Sequence, residues 1–221
     1  MSEPVKGTRR YESPRRRQQA DDTRRQMLAA AKALFEERGY GATTMAAVAE
    51  GAGVSPKTVY AAFETKSGLL RAVWHLLLRG DEGSAPVGER RWYLDVLEEP
   101  DPARTLRLAA RASRVVKERA GGLLHVIRTA APLDRDAGAL WQRIESEFYD
   151  NQRAIVQTLH ERHALAPGLD VVAATDLLWT LNHPDVWQLL VRQRGWTPDR
   201  FEQWLGDTLT AQLLAPARAP G

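Results

Sequence analysis

Apolar residues recur along the chain at intervals of three and four, and no alternating stretch longer than a few residues interrupts them. The pattern predicts an all-α fold. Asp21 or Asp22 caps a first helix to about Arg38, with Met27, Leu28, Ala31, Leu34 and Phe35 in one stripe and Gly39 ending it. Thr44 caps a short helix carrying Met45, Val48 and Ala49. Gly51-Ala52-Gly53 supplies a tight turn, and Ser55-Pro56 starts a second short helix to about Ala62. Thr65 caps a helix from Lys66 to about Arg79. Its Leu69, Leu70, Val73, Trp74 and Leu77 are too many for the small helices before it, so some must pack into the larger C-terminal part. A flexible break spans Gly80 to Gly88, then a short helix, Glu89 to Glu98, carries Trp92, Leu94 and Leu97. Asp101-Pro102 starts a helix to about Arg119, Gly121-Gly122 breaks it, and Leu123 to Ala131 forms the next segment. Asp134 caps a long helix to about Ala164, roughly 45 Å at 1.5 Å per residue. Val171–Leu181, Pro184–Arg194 and a last helix from Thr197-Pro198, with Phe201, Trp204, Leu205, Leu209 and Leu213 on one face, complete the chain.

Thr43 to Lys66 therefore reads as two short helices across a glycine turn with a third behind them, the layout of a helix-turn-helix. Val48-Ala49, Ala52-Gly53-Val54-Ser55, Thr58, Tyr60, Phe63, Lys66 and Leu69-Leu70 resemble the DNA-binding signature of the TetR family of transcriptional regulators. The likeness covers about residues 22–70; beyond them it is one of helical layout and length. It gives a four-part organisation: a flexible basic arm (1–20), a helix-turn-helix domain (21–66), a larger helical domain (67–215) and a flexible tail (216–221).

Several side chains suit DNA by their own chemistry. Thr43 and Thr44 stand at a helix N-terminus, where hydroxyls and free N–H groups suit a phosphate. Ser55, Pro56, Lys57 and Thr58 lie on or beside the second short helix, where Lys57 can donate to guanine and Pro56 can touch a thymine methyl. The resemblance adds Tyr60 and Lys66 as phosphate contacts. Ala61 can also touch a thymine methyl. Ala61-Ala62 stand where many family members carry larger residues, which removes a phosphate contact. Ala46-Ala47 offer no base-reading side chain, which shifts weight to DNA shape and to the arm. The resemblance further implies a homodimer made by the last helices, with Leu177, Leu178, Leu181, Phe201, Trp204, Leu205 and Leu209 as interface candidates. It also implies a pocket for an unknown small-molecule effector, with Arg111, Arg128, Trp141, Phe148, Trp179 and His183 as lining. The expected function is a ligand-responsive regulator, most often a repressor in that family, on a palindromic operator. The alternative is an effector-independent or architectural DNA-binding protein.

Charge sharpens this picture. The net charge is +3, yet residues 1–20 carry +4, residues 21–66 are neutral and the remainder carries −1. A neutral reading head has little long-range pull on phosphates, so the arm, and Arg15, Arg16 and Arg17 in particular, is expected to supply it. The chain has no cysteine, which removes disulfides and thiolate chemistry. No apolar run reaches the roughly 20 residues that span a bilayer, and the N-terminus lacks the apolar core of a secretory signal, so a cytoplasmic protein without membrane partner is expected. His160-Glu161-Arg162-His163 places its histidines three apart, not the four a zinc-protease helix needs. No metal, cofactor or enzyme activity is expected.

Overall fold

The computed structural model describes residues 14–79 and 87–215. The expectations for residues 1–13 of the arm, for most of the break at 80–86 and for the tail 216–221 lie outside the described residues. Among the described residues ten α-helices run in order: α1 (Pro14–Ala42), α2 (Met45–Gly51), α3 (Pro56–Phe63), α4 (Lys66–Arg79), α5 (Arg91–Glu98), α6 (Pro102–Ala130), α7 (Arg135–Glu161), α8 (Val171–Leu181), α9 (Pro184–Trp187) and α10 (Pro198–Leu213). A 3-10 turn precedes α5, and a π-helical turn, Gln188–Gln193, continues α9.

The expected caps form as local hydrogen-bonding chemistry dictates. Thr44 accepts from the Ala47 N–H, Ser55 from Thr58, Asp101 from Ala103, Asp134 from Asp136 and Ala137, and Thr197 from Arg200. Thr65 accepts from the Gly68 N–H at 2.9 Å and opens α4.

Two elements differ from expectation. Helix α1 starts at Pro14 and not at Asp21 or Asp22, so the cluster of arginines belongs to a helix. Proline at the first position and the Arg, Gln and Ala residues after it suit a helix with no apolar stripe. Helix α6 also runs unbroken for 29 residues through Gly121-Gly122. Those glycines serve close approach. A Cβ on Gly121 would lie 3.3 Å from the Trp187 ring nitrogen, and one on Gly122 would lie 2.9 Å from the Glu36 carboxylate.

The buried apolar residues form two cores that share α6. The first joins α1, α2, α3 and α4 to the C-terminal half of α6 and the start of α7, around Phe35, Val48, Val59, Leu69, Leu123 and Ile127. The second gathers α5, the N-terminal half of α6, the end of α7, α8 and α10, around Leu106, Ile155, Leu178, Phe201 and Leu209. Arg162, at the end of α7, donates to the carbonyls of Leu97 (2.9 Å) and Glu99, clamping the α5–α6 corner. Among the described residues no helix is long and apolar enough to cross a membrane.

Candidate nucleic-acid interface and the cavity behind it

Helix α3 is a short amphipathic rod. Val59 and Phe63 turn inward and are buried, while Pro56, Lys57, Thr58, Tyr60 and Ala61 face solvent, with Tyr60 53% exposed. The inward pair enters the core shared with α1, α2 and α4, and from α1 the Arg24 guanidinium lies 4.5 Å from the Phe63 ring centre and donates to the Ala62 carbonyl at 3.3 Å. The approach from α2 is fixed by Gly53 at φ +65, a conformation that glycine takes without a Cβ clash. At the far end Glu64 takes φ +61, a left-handed turn into α4 that the sequence does not announce. Ser55 Oγ is 2.8 Å from Thr58 Oγ1, so these two hydroxyls hold each other on the exposed face. Arg15 and Arg16 are exposed on α1.

Two residues expected at phosphates are otherwise engaged. Thr43 is only 1% exposed and its hydroxyl serves the carbonyls of Gly39 (2.8 Å) and Leu34 (3.1 Å), so it ties off α1; its neighbour Thr44 is exposed. Lys66 donates to the Tyr40 carbonyl at 2.8 Å and lies 4.2 Å from the Tyr40 ring centre. Tyr40 in turn donates to Asp134 Oδ2 at 2.6 Å, and Ser67 contacts Asp136 at 3.4 Å. Burial and the neighbouring carboxylate push the Tyr40 hydroxyl well above its ordinary pKa. Lys66 thus stands in the joint between the reading head and the α6–α7 corner.

Behind that joint lies a cavity of about 960 Å³, mouth included, between α4, α5, α6, α7 and the α8–α9 turn. Its wall is apolar and aromatic: Trp74 and Leu78 from α4, Trp92 from α5, and Trp141, Ile144 and Phe148 from α7. Of the candidate lining residues, Trp141, Phe148 and His183 border this cavity. Arg111, Arg128 and Trp179 do not. Arg111 lines an adjoining hollow between α4, α5 and α6 that shares Leu78, Val87, Trp92, Val96, Ala112 and Val116 with the cavity; Arg128 pairs with Asp185; and Trp179 packs edge-on against His183 with ring centres 4.8 Å apart.

A polar cluster at the cavity lies outside the expected lining. Lys117 is 4% exposed and donates to Ser113 Oγ (2.5 Å), Asn182 Oδ1 (2.6 Å) and the Asn182 carbonyl (2.8 Å). Asn182 donates to Gln152 Oε1 at 3.0 Å. Burial pulls the Lys117 pKa down from 10.5 to about 7. His183 sits beside this cluster, 3.5 Å from Glu145, and burial lowers its pKa too. The sequence does hold a signal for it. Leu106, Ala110, Ser113, Lys117, Ala120 and Leu124 fall on one helical stripe, and a lysine there is out of register with its charge.

The interface candidates divide as well. Leu178, Phe201, Leu205 and Leu209 are fully buried inside the protomer, so they fill its own core and cannot face a second copy. Leu177, Leu181 and Trp204 are half-buried.

Residues 27–73, spanning α2, α3, most of α1 and the start of α4, match the family model of the bacterial regulatory proteins of the tetR family. The HTH-type transcriptional regulator AcrR of Shigella flexneri is 28% identical over 205 residues, covering 91% of this chain and 87% of that protein. The HTH-type transcriptional regulator TtgR of Pseudomonas putida is 26% identical over 211 residues, covering 92% and 97%. Among solved structures, NalD, the secondary repressor of the MexAB-OprM multidrug efflux pump in Pseudomonas aeruginosa, superposes with a TM-score of 0.64 at 22% identity, covering 89% of this chain and 98% of that one. With the helix-turn-helix geometry on one side and these likenesses on the other, the chain belongs to the TetR family of DNA-binding transcriptional regulators.

Proposed function

We propose that this regulator is a ligand-responsive repressor: a homodimer binds a palindromic operator, and a small-molecule effector in the cavity releases it. The observation that carries the reading is the course of α4. Its first residue, Lys66, stands in the joint beside the reading head, and two and three turns later Trp74 and Leu78 form part of the cavity wall. A molecule that displaces those side chains moves the helix on which the reading head rests. DNA and effector then select different settings of one helix, which is a coupling of two sites through a shared element.

On DNA, the outward face of α3 enters the major groove, with Lys57 as the principal base-reading side chain, Pro56 against a thymine methyl, and Ser55, Thr58 and Tyr60 beside it toward the backbone. Thr44 and the basic residues Arg15, Arg16 and Arg17 hold phosphates, and Lys66 supports the head from behind. One α3 reads too few base pairs to mark a site, so two copies about 34–36 Å apart on a two-fold site are required. Leu177, Leu181 and Trp204 are the interface candidates left to meet the partner. Residues 67–215 act as the effector-binding and dimerisation part, and the protein works in the cytoplasm. NalD, as a repressor of an efflux pump, favours repression over activation.

Selection of bound genomic fragments by the purified protein, followed by gel shift on the recovered site, tests the reading. A two-fold symmetric site bound by a dimer is expected. A monomer indifferent to every duplex at modest ionic strength would refute it. Lys57→Ala should relax preference at one position per half-site by about 1–3 kcal/mol.

A further inference from the structure

We propose that the cavity takes a lipophilic acid, with a flat apolar body against Trp74, Trp92 and Trp141 and an anionic head paired with the Lys117 ammonium. The proposal rests on the effector-binding reading above and narrows its ligand to one chemical class.

Lys117 is the one charged side chain that is buried among the described residues. Its three hydrogen-bond partners, Ser113 Oγ and both oxygens of Asn182, satisfy its protons but bring no negative charge. The rings of Phe148 and Phe201, with centres 5.9 and 5.6 Å from Nζ, offer only their quadrupoles. Among the described residues Lys117 forms no ion pair. A buried cation without a counter-charge is costly, and an incoming anion removes that cost where a neutral ligand cannot.

The carboxylates of the same wall are placed differently. Glu147 is exposed, and Glu145 is more than one-third exposed and faces His183. Solvent screens both, so the negative groups sit toward water and the positive one at the buried end. His183 is held toward its neutral form by burial and does not compete for the anion. The aromatic wall supplies area for a planar body, and the polar groups converge at a single end of it, which orients an amphipathic molecule.

Three probes with one body and different heads test this on the full-length protein by titration calorimetry at pH 7: 2-naphthoate, 2-naphthalenemethanol and 2-naphthylmethylammonium. The acid should bind about tenfold or more tighter than the alcohol, the range expected when a charge-assisted hydrogen bond from the amine replaces one to a neutral acceptor. Lys117→Met should erase that preference while leaving the alcohol within a few-fold of its wild-type affinity. The wild-type ranking decides even if the variant does not fold. Acid and alcohol within twofold of each other, or the ammonium binding tightest, overturns the acid assignment while the cavity still stands as a ligand site. No binding of any probe at millimolar concentration overturns the cavity reading and the acid assignment with it.

Discussion

The two cores that meet along α6 are built on opposite terms. The one under the reading head, around Phe35, Val59 and Ile127, is apolar throughout, with its polar members Thr43 and Ser67 at the margins. The other carries a buried polar set, Ser113, Lys117, Gln152 and Asn182, and the cavity lies between the two cores, with Trp74, Leu124 and Ile144 of the first and Tyr93, Val96 and Ile155 of the second in its wall. A dry core holds one geometry firmly, because every displaced side chain opens a void. A core that buries a lysine without a counter-charge is held less firmly, and on the proposed reading a bound anion would complete it. If the proposed function holds, rigidity serves the place where bases are read, and responsiveness lies beside the buried lysine.

The most forceful way to break this contrast is to hollow out each core. Phe35→Ala and Phe201→Ala should each lower unfolding stability by about 3–5 kcal/mol in denaturant titrations. Phe201→Ala should do so at every protein concentration, since Phe201 fills the protomer. A loss seen only on dilution would return Phe201 to a subunit interface.

Next in size is a pH effect confined to the second core. The unfolded lysine keeps its proton up to about its ordinary 10.5, whereas buried Lys117 releases it near 7. Between those values the unfolded chain binds more protons, so the stability of wild type relative to Lys117→Met should rise with pH. That contribution is complete above 10.5 and lost as pH falls to about 7. Tyr93, which burial pushes up to about 12, faces the same cavity in both proteins and cancels in the comparison; His183, which burial and in lesser part the Lys117 charge hold below its ordinary 6.5, changes charge below this window. A flat difference between about pH 7 and 10 would show that water reaches the amine.

Gly68→Ala probes the joint. A Cβ there meets the Phe63 backbone carbonyl, which cannot move without the turn at Glu64, so about 1–3 kcal/mol should be lost. Tyr40→Phe removes the hydrogen bond to Asp134 and should cost about 1–2 kcal/mol, measured by the same titration. Gly122→Ala should change stability least, within about 1 kcal/mol. The alanine gains helix propensity, and its Cβ meets only the end of the Glu36 side chain, which can swing away.

The share of the fold that is legible in the sequence depends on the range of each interaction. Caps at Thr44, Ser55, Asp101, Asp134 and Thr197 depend on three or four neighbouring residues, so the sequence contains the whole cause. The outward face of α3 is legible for the same reason. Gly121-Gly122 looks like a break because its cause is Trp187 and Glu36, which only folding brings near. Phe201, Leu205 and Leu209 form a sound stripe, but a stripe does not say whether its partner is α6 or a second protein copy. Thr43 and Lys66 show the converse: polar residues near a reading helix look available until the carbonyls of Gly39 and Tyr40 claim them.

The unbroken course of α6 has a mechanical meaning. Lys117 and Ile127 stand ten residues apart on one stiff rod, about 15 Å along its axis. A hinge at Gly121-Gly122 would absorb a push at the Lys117 end as local bending. Without one, and on the proposed reading, a displacement of the amine at one end would carry along the rod to the floor beneath the DNA-reading helices at the other.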